Sequence, residues 1–485
     1  MILTWEDARV SFNLFCCVYG IGTLGMPGNF ARAGPFLATA ALVFMAFANT
    51  YASVACSKVL LQCPRSVGTY GDLGEWCFGK AGRCMVVSTQ IANCLMIPCV
   101  FLVLGGILLD ALLPNTFSSS FWSILMAITL LPVCLIPTLK EGAGTALAGC
   151  IGTIIADIIG VCVVLSGMTG HPTIPQPDLD FEQVVGTFGN LSLAYGATIV
   201  IPALQRQHSD PKRMPRVIIV TMTLISCLFL LIASAGYAVG GCQLSSNLLF
   251  AIYPDPRTGL NSLGFVPHKG AVVVAFLAMQ VHITTAFGIV IHPAFYLLER
   301  TLLGMHADNR ATQDLELNYM DAATPTNNAM IRSEKNSAVS YITSESEFED
   351  QSTYRVELAE YRQPKMVVKY TVLRTGILAV LVVLAILFKK RLQEFTDLIG
   401  ASTMTASCII LPIVFYLQKE WEKVTIYEKG GAVFILIVCS LLGGYVTYNS
   451  AKRLFFPVQE VLKRFPYCAP AYESVMYYIT LPREA

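Results

Sequence analysis

The sequence predicts an all-α polytopic membrane protein, and three observations predict it. Hydrophobic residues make up 54% of the 485 and charged residues 13%, with a mean hydropathy of +0.59; a soluble domain carries about 25% charge. Apolar runs of about 20 residues, the length that crosses a hydrocarbon core of ~30 Å, recur along the chain. Two of those runs, five apart, are interrupted by glycine and proline. The pattern is then two repeats of five spans, each headed by a broken one, plus an eleventh.

The spans are read at 10–31, 36–61, 84–113, 120–139, 145–167, 184–204, 216–240, 270–298, 368–388, 396–418 and 429–450. Lys and Arg in the short connections set their direction. Arg65, Lys80 and Arg83 lie in 62–83, Arg206, Lys212 and Arg213 in 205–215, and Lys419 and Lys423 in 419–428. All fall on one side if the amino terminus is cytosolic, which leaves the carboxyl terminus outside. The loop "FKKRLQEF", 388–395, disagrees, since it places Lys389, Lys390 and Arg391 outside. Residues 1–302 thus hold spans one to eight, 366–452 spans nine to eleven, and 453–485 a tail.

Residues 303–365 have no apolar period and are rich in Ser, Thr, Asn, Asp and Glu. They read as a disordered cytosolic linker. Within it, "TSESEFED" sets Ser344 and Ser346 three residues before Glu347 and Glu349, a pattern an acidophilic kinase would accept.

A net charge of +1 implies no basic face for nucleic acid. Trp5, Glu6, Asp7 and Arg9 stand where a cleaved leader would be apolar, so none is expected. Most of the 16 cysteines lie in apolar runs, where they act as small hydrophobes. Cys242 and Cys468 are the two on the outer side, and no structural disulfide is expected. The sequon at Asn190 lies inside span six, out of reach of glycosylation. There is no GxxxxGK[ST], HExxH or GxSxG, so neither ATP drive, an enzyme nor a cofactor is indicated.

The interruptions carry the functional argument. Span one contains "CVYGIGTLGMPG", 17–28, and span six "GTFGNLSLAYGATIVIPAL", 186–204. Glycine or proline inside a span is tolerated where the freed backbone faces a cavity or another helix. Broken helices at matching places in two halves point to a central site, in which N–H groups hold a carboxylate and carbonyls an ammonium or cation. Close packing of small residues is the plainer alternative. Gly20, Gly22, Thr23 and Gly25 in the first break, and Tyr195 and Gly196 in the second, are the candidate substrate contacts.

"FNLFCCVYGIGTLGMPGNFARAG", 12–34, resembles the first span of the amino acid/auxin permease family. "AYGATIVIPALQRQHSDPKRMPRVI", 194–218, resembles its sixth span and the loop that follows, and 372–418 its ninth and tenth. The resemblance implies a leucine-transporter-like inverted repeat and secondary transport of amino acids by alternating access, usually coupled to protons. A small neutral substrate, protons and membrane lipid are then the partners. Cys16 stands where sodium-coupled members often carry Asn; a thiol suits a hard cation poorly. Gly28 and Asn29 also depart from the family pattern. A membrane sensor of amino acids, signalling through 303–365, is the alternative.

Ionisable groups at bilayer depth are costly and so are candidates for coupling. Asp157 stands between isoleucines and alanine near the middle of span five, either as a titrating group or as a neutral hydrogen-bonded acid. His282 and His292 on span eight are ten residues apart, so their faces differ by roughly 80°. Each is either a titrating or a packing histidine. Thr284 and Thr285 fall where sodium-coupled relatives place a hydroxyl, and hydroxyls also bond their own helix. Asn93 on span three is a further substrate contact or interhelical glue. Asp110 and Arg374, near span ends, are assigned no chemistry.

Overall fold

The structure, a computed structural model, describes residues 4–64, 67–136, 142–305, 361–456 and 463–479, apart from the side chains of 142–145. Ser344, Ser346 and most of 303–365 lie outside these residues. The described chain is built of helices, and eight continuous stretches are long and apolar enough to cross a bilayer. Two of them, Thr23–Leu60 and Pro364–Glu420, carry parts of more than one predicted span.

Span one is Trp5–Val18 followed, after a break, by 26–33. Gly34 then takes φ 71°, and Pro35 opens span two, 35–60. Glycine adopts that left-handed turn without a Cβ clash, and Pro fits the first turn of the next helix. Spans three, four and five are 80–112, Ser119–Leu135 and Gly142–Gly167. Span six is Phe181–Ala194 and, after a second break, Ile201–Arg206. Spans seven, eight and nine are Met214–Gly240, Lys269–Leu298 and Pro364–Phe388. Span ten runs from Leu392 to Glu420 through two π-helical stretches, Gly400–Met404 and Ala406–Ile410; span eleven is Ile426–Phe455.

The packing repeats with a shift of five. Span five lies on eight, and ten on three; span one lies on seven, and six on the helix that bears span two; span five also meets seven, as ten meets two. Spans three and eight, which exchange places under the shift, pack on one another. Five spans reverse direction, so the repeat is inverted. Span eleven packs on six and ten, outside the repeat. The all-α, five-plus-five architecture with discontinuous spans one and six is therefore the one the sequence predicts.

The expectation of no disulfide is corrected. Cys242, beyond the end of span seven, is bonded to Cys468 of the tail, 226 positions away in sequence, with Cα atoms 5.2 Å apart. Spacing could not reveal a pair so far apart. The bond places both residues on one face, one that meets an oxidising compartment. The discordant basic loop is on that face too, where Lys389 donates to Ser120 at 2.7 Å. On the opposite side Arg374, left without a role by the sequence, is bound to Glu299 at 2.6 Å and to the carbonyls of Cys134 and Ile136. It ties the ends of spans four, eight and nine together.

Candidate functional site

The first break begins where the span-one helix ends at Val18. Tyr19 is extended, with ψ 96°, and a 3-10 turn at Thr23–Gly25 precedes Met26. Span six repeats the design: Tyr195 leaves the helix, Thr198–Val200 forms a 3-10 turn, and the helix resumes at Ile201. Each resumed helix has proline in its first turn, Pro27 and Pro202, where no N–H is needed. Around the breaks the usual four-residue ladder gives way to short closures, Thr23 to Gly20 O at 3.0 Å and Val200 to Ala197 O at 3.2 Å. Peptide groups between them are thereby released from the helical pattern.

The two breaks touch. A Cβ on Gly22 would lie 2.6 Å from the Cβ of Ala194, and one on Gly25 would lie 2.5 Å from Asn190 Nδ2. A Cβ on Gly196 would collide with the methyl of Met404, which the π-helical part of span ten lays against the second break. At Gly22 the neighbour includes the Ala194 backbone, so glycine is required there by the approach of the two chains; at Gly25 and Gly196 a Cβ would have to displace the ends of the Asn190 and Met404 side chains.

Asp157 closes the first break from span five. It is 2% exposed. The Tyr19 phenol donates to its Oδ2 at 2.8 Å, and the Thr23 hydroxyl lies 3.0 Å from its Oδ1. That hydroxyl is also 3.0 Å from Gly20 O. One hydroxyl hydrogen cannot serve both acceptors fully. With a proton on Oδ1, Asp157 donates to Thr23 and Thr23 donates to Gly20, and every group is paired.

His282 approaches the same break from span eight. Its Nδ1 lies 3.0 Å from Gly149 O, and a carbonyl only accepts, so Nδ1 carries the hydrogen. The opposite edge of the ring lies against Gly20, where a Cβ would be 3.3 Å from Nε2. Span eight thus contributes one histidine to the break and places the other elsewhere. His292 sits between the carbonyls of Gly288 and Ile136, ~15 Å further along the helix.

Other sequence-predicted residues face away. Thr284 is exposed and donates to Gln280 O at 2.8 Å; Thr285 donates within its own helix and packs against Gly149. Asn93 is buried on span ten, donating to Ser407 at 2.9 Å and accepting from Thr403, so it joins spans three and ten. The Tyr195 hydroxyl donates to Ser226 of span seven at 2.8 Å, so only the backbone of Tyr195 borders the break.

Sequence reasoning missed Tyr19, although it directly precedes the first glycine of the motif. It also missed two ion-paired groups that hold the ends of span one. Outside, Arg32 meets Asp397 of span ten at 3.0 Å, both side chains under a tenth exposed. Inside, Asp7 receives Arg213 and His208, and Glu6 receives Ser209, all from the loop after span six. Asp7 precedes the apolar run, and the Arg213 guanidinium holds its carboxyl well below the usual carboxylate range. Charged residues just outside a hydrophobic run gave the signal; their partners are roughly 200 and 365 positions away.

The chain is similar to the Arabidopsis thaliana amino acid transporter AVT1D, 24% identical over 306 residues, covering 60% of this chain and 51% of that one. It is 20% identical over 461 residues to the Arabidopsis thaliana amino acid transporter ANT1, 90% of each. The Saccharomyces cerevisiae vacuolar amino acid transporter 4 is 21% identical over 259 residues, 51% of this chain and 36% of that one. The chain thus spans about half the length of AVT1D and 57% of AVT1H, another of these relatives. Among solved structures, MhsT in complex with L-phenylalanine aligns over 91% of this chain and 98% of that one, at 11% identity and TM-score 0.44. The Eremococcus coleocola manganese transporter aligns over 94% and 88%, at 11% and 0.48. Residues 5–451, from the first described helical residue to within the last turns of span eleven, match the family described as transmembrane amino acid transporter protein, and the chain belongs to that family.

Proposed function

We propose that this multi-pass membrane protein is a secondary active transporter of small neutral amino acids, coupled to protons and working by alternating access around the breaks in spans one and six. The observation that carries the reading is the pairing of Asp157 with the side chains of Tyr19 and Thr23, which ties a titratable group to the first break through their hydroxyls. The family, and relatives named as amino acid transporters, support the substrate class.

In the mechanism, the released peptide groups of the two breaks bind the dipolar substrate. N–H groups at the start of the resumed helix donate to the carboxylate, and free carbonyls accept from the ammonium. Protonated Asp157 lets Thr23 bond Gly20 O, which keeps that carbonyl occupied. Loss of the proton draws the Thr23 hydroxyl to the carboxylate and leaves Gly20 O with the Thr23 N–H alone. The proton on Asp157 thereby sets which group the Thr23 hydroxyl bonds, and so links titration of the acid to the geometry of the first break. The Arg32–Asp397 pair closes the outer end of span one and the Asp7–Arg213 pair its inner end, so opening on one side breaks one pair at a time. The close packing of Gly22 on Ala194 and of Gly196 on Met404 leaves little room between the breaks, which supports a small substrate. The hosting membrane is the plasma membrane or a vacuolar or endolysosomal one.

The test is reconstitution into liposomes with radiolabelled amino acids, with and without an inward pH gradient. Saturable uptake of a small neutral amino acid that rises with the gradient is expected. Flux that neither saturates nor responds to the gradient overturns the coupling.

A further inference from the structure

The tail beyond span eleven has no part in the breaks, yet residues 463–479 fold back over the outer face. Asp178, in the loop before span six, donates its N–H to Tyr467 O at 2.9 Å, and Pro177 bridges to Cys468. Gln243, next to Cys242, donates to the carbonyls of Tyr472 and Val475 and accepts from the N–H of Tyr477 at 3.1 Å. Tyr478 donates to Thr169 O at 3.1 Å. The disulfide to Cys242 adds a covalent anchor at the outer end of span seven.

From this frame Tyr467 reaches the outer ion pair from both sides. Its ring lies 5.8 Å from the guanidinium carbon of Arg32, within cation–π range. Its hydroxyl donates to Gln393 Oε1 at 2.8 Å, and Gln393 stands one helical turn before Asp397 on span ten. A single tyrosine thus touches the arginine side of the pair and the helix that bears the aspartate. The pair itself is incompletely satisfied, since Arg32 Nε and Asp397 Oδ1 are buried without a hydrogen-bond partner among the described residues. A pair of that kind is held as much by what packs on it as by its own contact.

We propose that residues 463–479 form a disulfide-anchored outer clasp in which Tyr467 is the positioning residue for the Arg32–Asp397 pair, so that opening to the outer side requires the clasp to lift. This rests on the alternating-access reading for its consequence in transport. The contact itself is read without substrate. The tail anchors on span seven and the loop before span six, and presses on span ten, so it spans the seam that outward opening has to part.

The test is hydrogen–deuterium exchange by mass spectrometry on the full chain in lipid nanodiscs, without amino acid, comparing wild type with Tyr467→Ala, Tyr467→Phe and the Cys242→Ser/Cys468→Ser double variant. Peptides covering 26–36 and 392–399 are expected to exchange faster in Tyr467→Ala and in the cysteine variant, by about fivefold. Tyr467→Phe keeps the ring over Arg32 and loses the bond to Gln393, so 392–399 is expected to loosen while 26–36 stays near wild type. Span eight, 270–298, serves as control. Unchanged exchange at both outer peptides in Tyr467→Ala overturns the clasp, and so does acceleration that extends equally to span eight. Uptake measured on the same samples separates the two readings: altered exchange in a protein that carries no amino acid leaves the clasp standing and removes the transport function.

Discussion

Tyr19 and Asp157, 138 residues apart, meet at 2.8 Å, phenol to carboxylate, at the point where span one stops being a helix. The contact joins the two features that membrane energetics makes expensive, an open backbone and a buried acid. Each is partly compensated by the other.

Replacing Asp157 with Asn removes the titrating oxygen and retains a side chain that can bond Tyr19 or Thr23. Uptake is expected to persist at a reduced rate and to lose its dependence on external pH. Initial-rate uptake between about pH 5 and pH 7.5 checks this. A wild-type pH profile in the variant removes Asp157 from coupling.

Gly22→Val and Gly196→Val, made separately, place methyl groups where Ala194 and the Met404 methyl already stand. Overpacking of this kind costs about 1–3 kcal/mol or displaces the backbone. Uptake is expected to be abolished with surface expression retained, measured by transport and surface biotinylation on the same cells. Normal transport in Gly22→Val contradicts the contact between the breaks, and normal transport in Gly196→Val contradicts the packing of Met404 on the second break.

Asp397→Ala leaves Arg32 buried and unpaired. Removing one partner of a buried pair costs about 3–5 kcal/mol. The thermal unfolding midpoint of the purified protein is expected to fall, and the double variant Arg32→Met/Asp397→Leu is expected to recover part of the loss. Failure to recover any of it places the cost outside the pair.

The inner end of span one responds to acid in a set direction. The Asp7 carboxyl is held below its ordinary range by Arg213, so this contact stabilises the closed inner side at any pH above the range of a free carboxylate. Stability is lost only as pH falls through the depressed folded value. Between about pH 5 and pH 7 the contact is therefore expected to be constant. Arg213→Gln is expected to raise basal leak uniformly across that range without moving the pH optimum of uptake, in contrast to Asp157→Asn.

Much of the architecture was legible because its causes are local. Hydropathy set the lengths of the spans, Gly34-Pro35 marked the turn between one and two, and Met-Pro and Ile-Pro marked where the broken helices resume. The facing of side chains was not legible. A span that is apolar all round has no dominant stripe to fix its rotation. Hence Thr284, one residue from Thr285, turned out exposed, and Asn93 turned to span ten. Asp157 was selected for its cost alone; its partner Tyr19 could be found only once spans one and five were placed side by side. The Cys242–Cys468 bond needed the tail's path, which no periodicity encodes.

That bond also acts as a parity check on biogenesis. Four crossings separate the two sulfurs, so they share a compartment only if an even number of spans eight to eleven has been threaded by the translocation machinery. A chain that skips one leaves Cys468 in the reducing cytosol, unable to oxidise. The fraction of protein left without the cross-link in a non-reducing gel therefore reports molecules in which a single span has been missed.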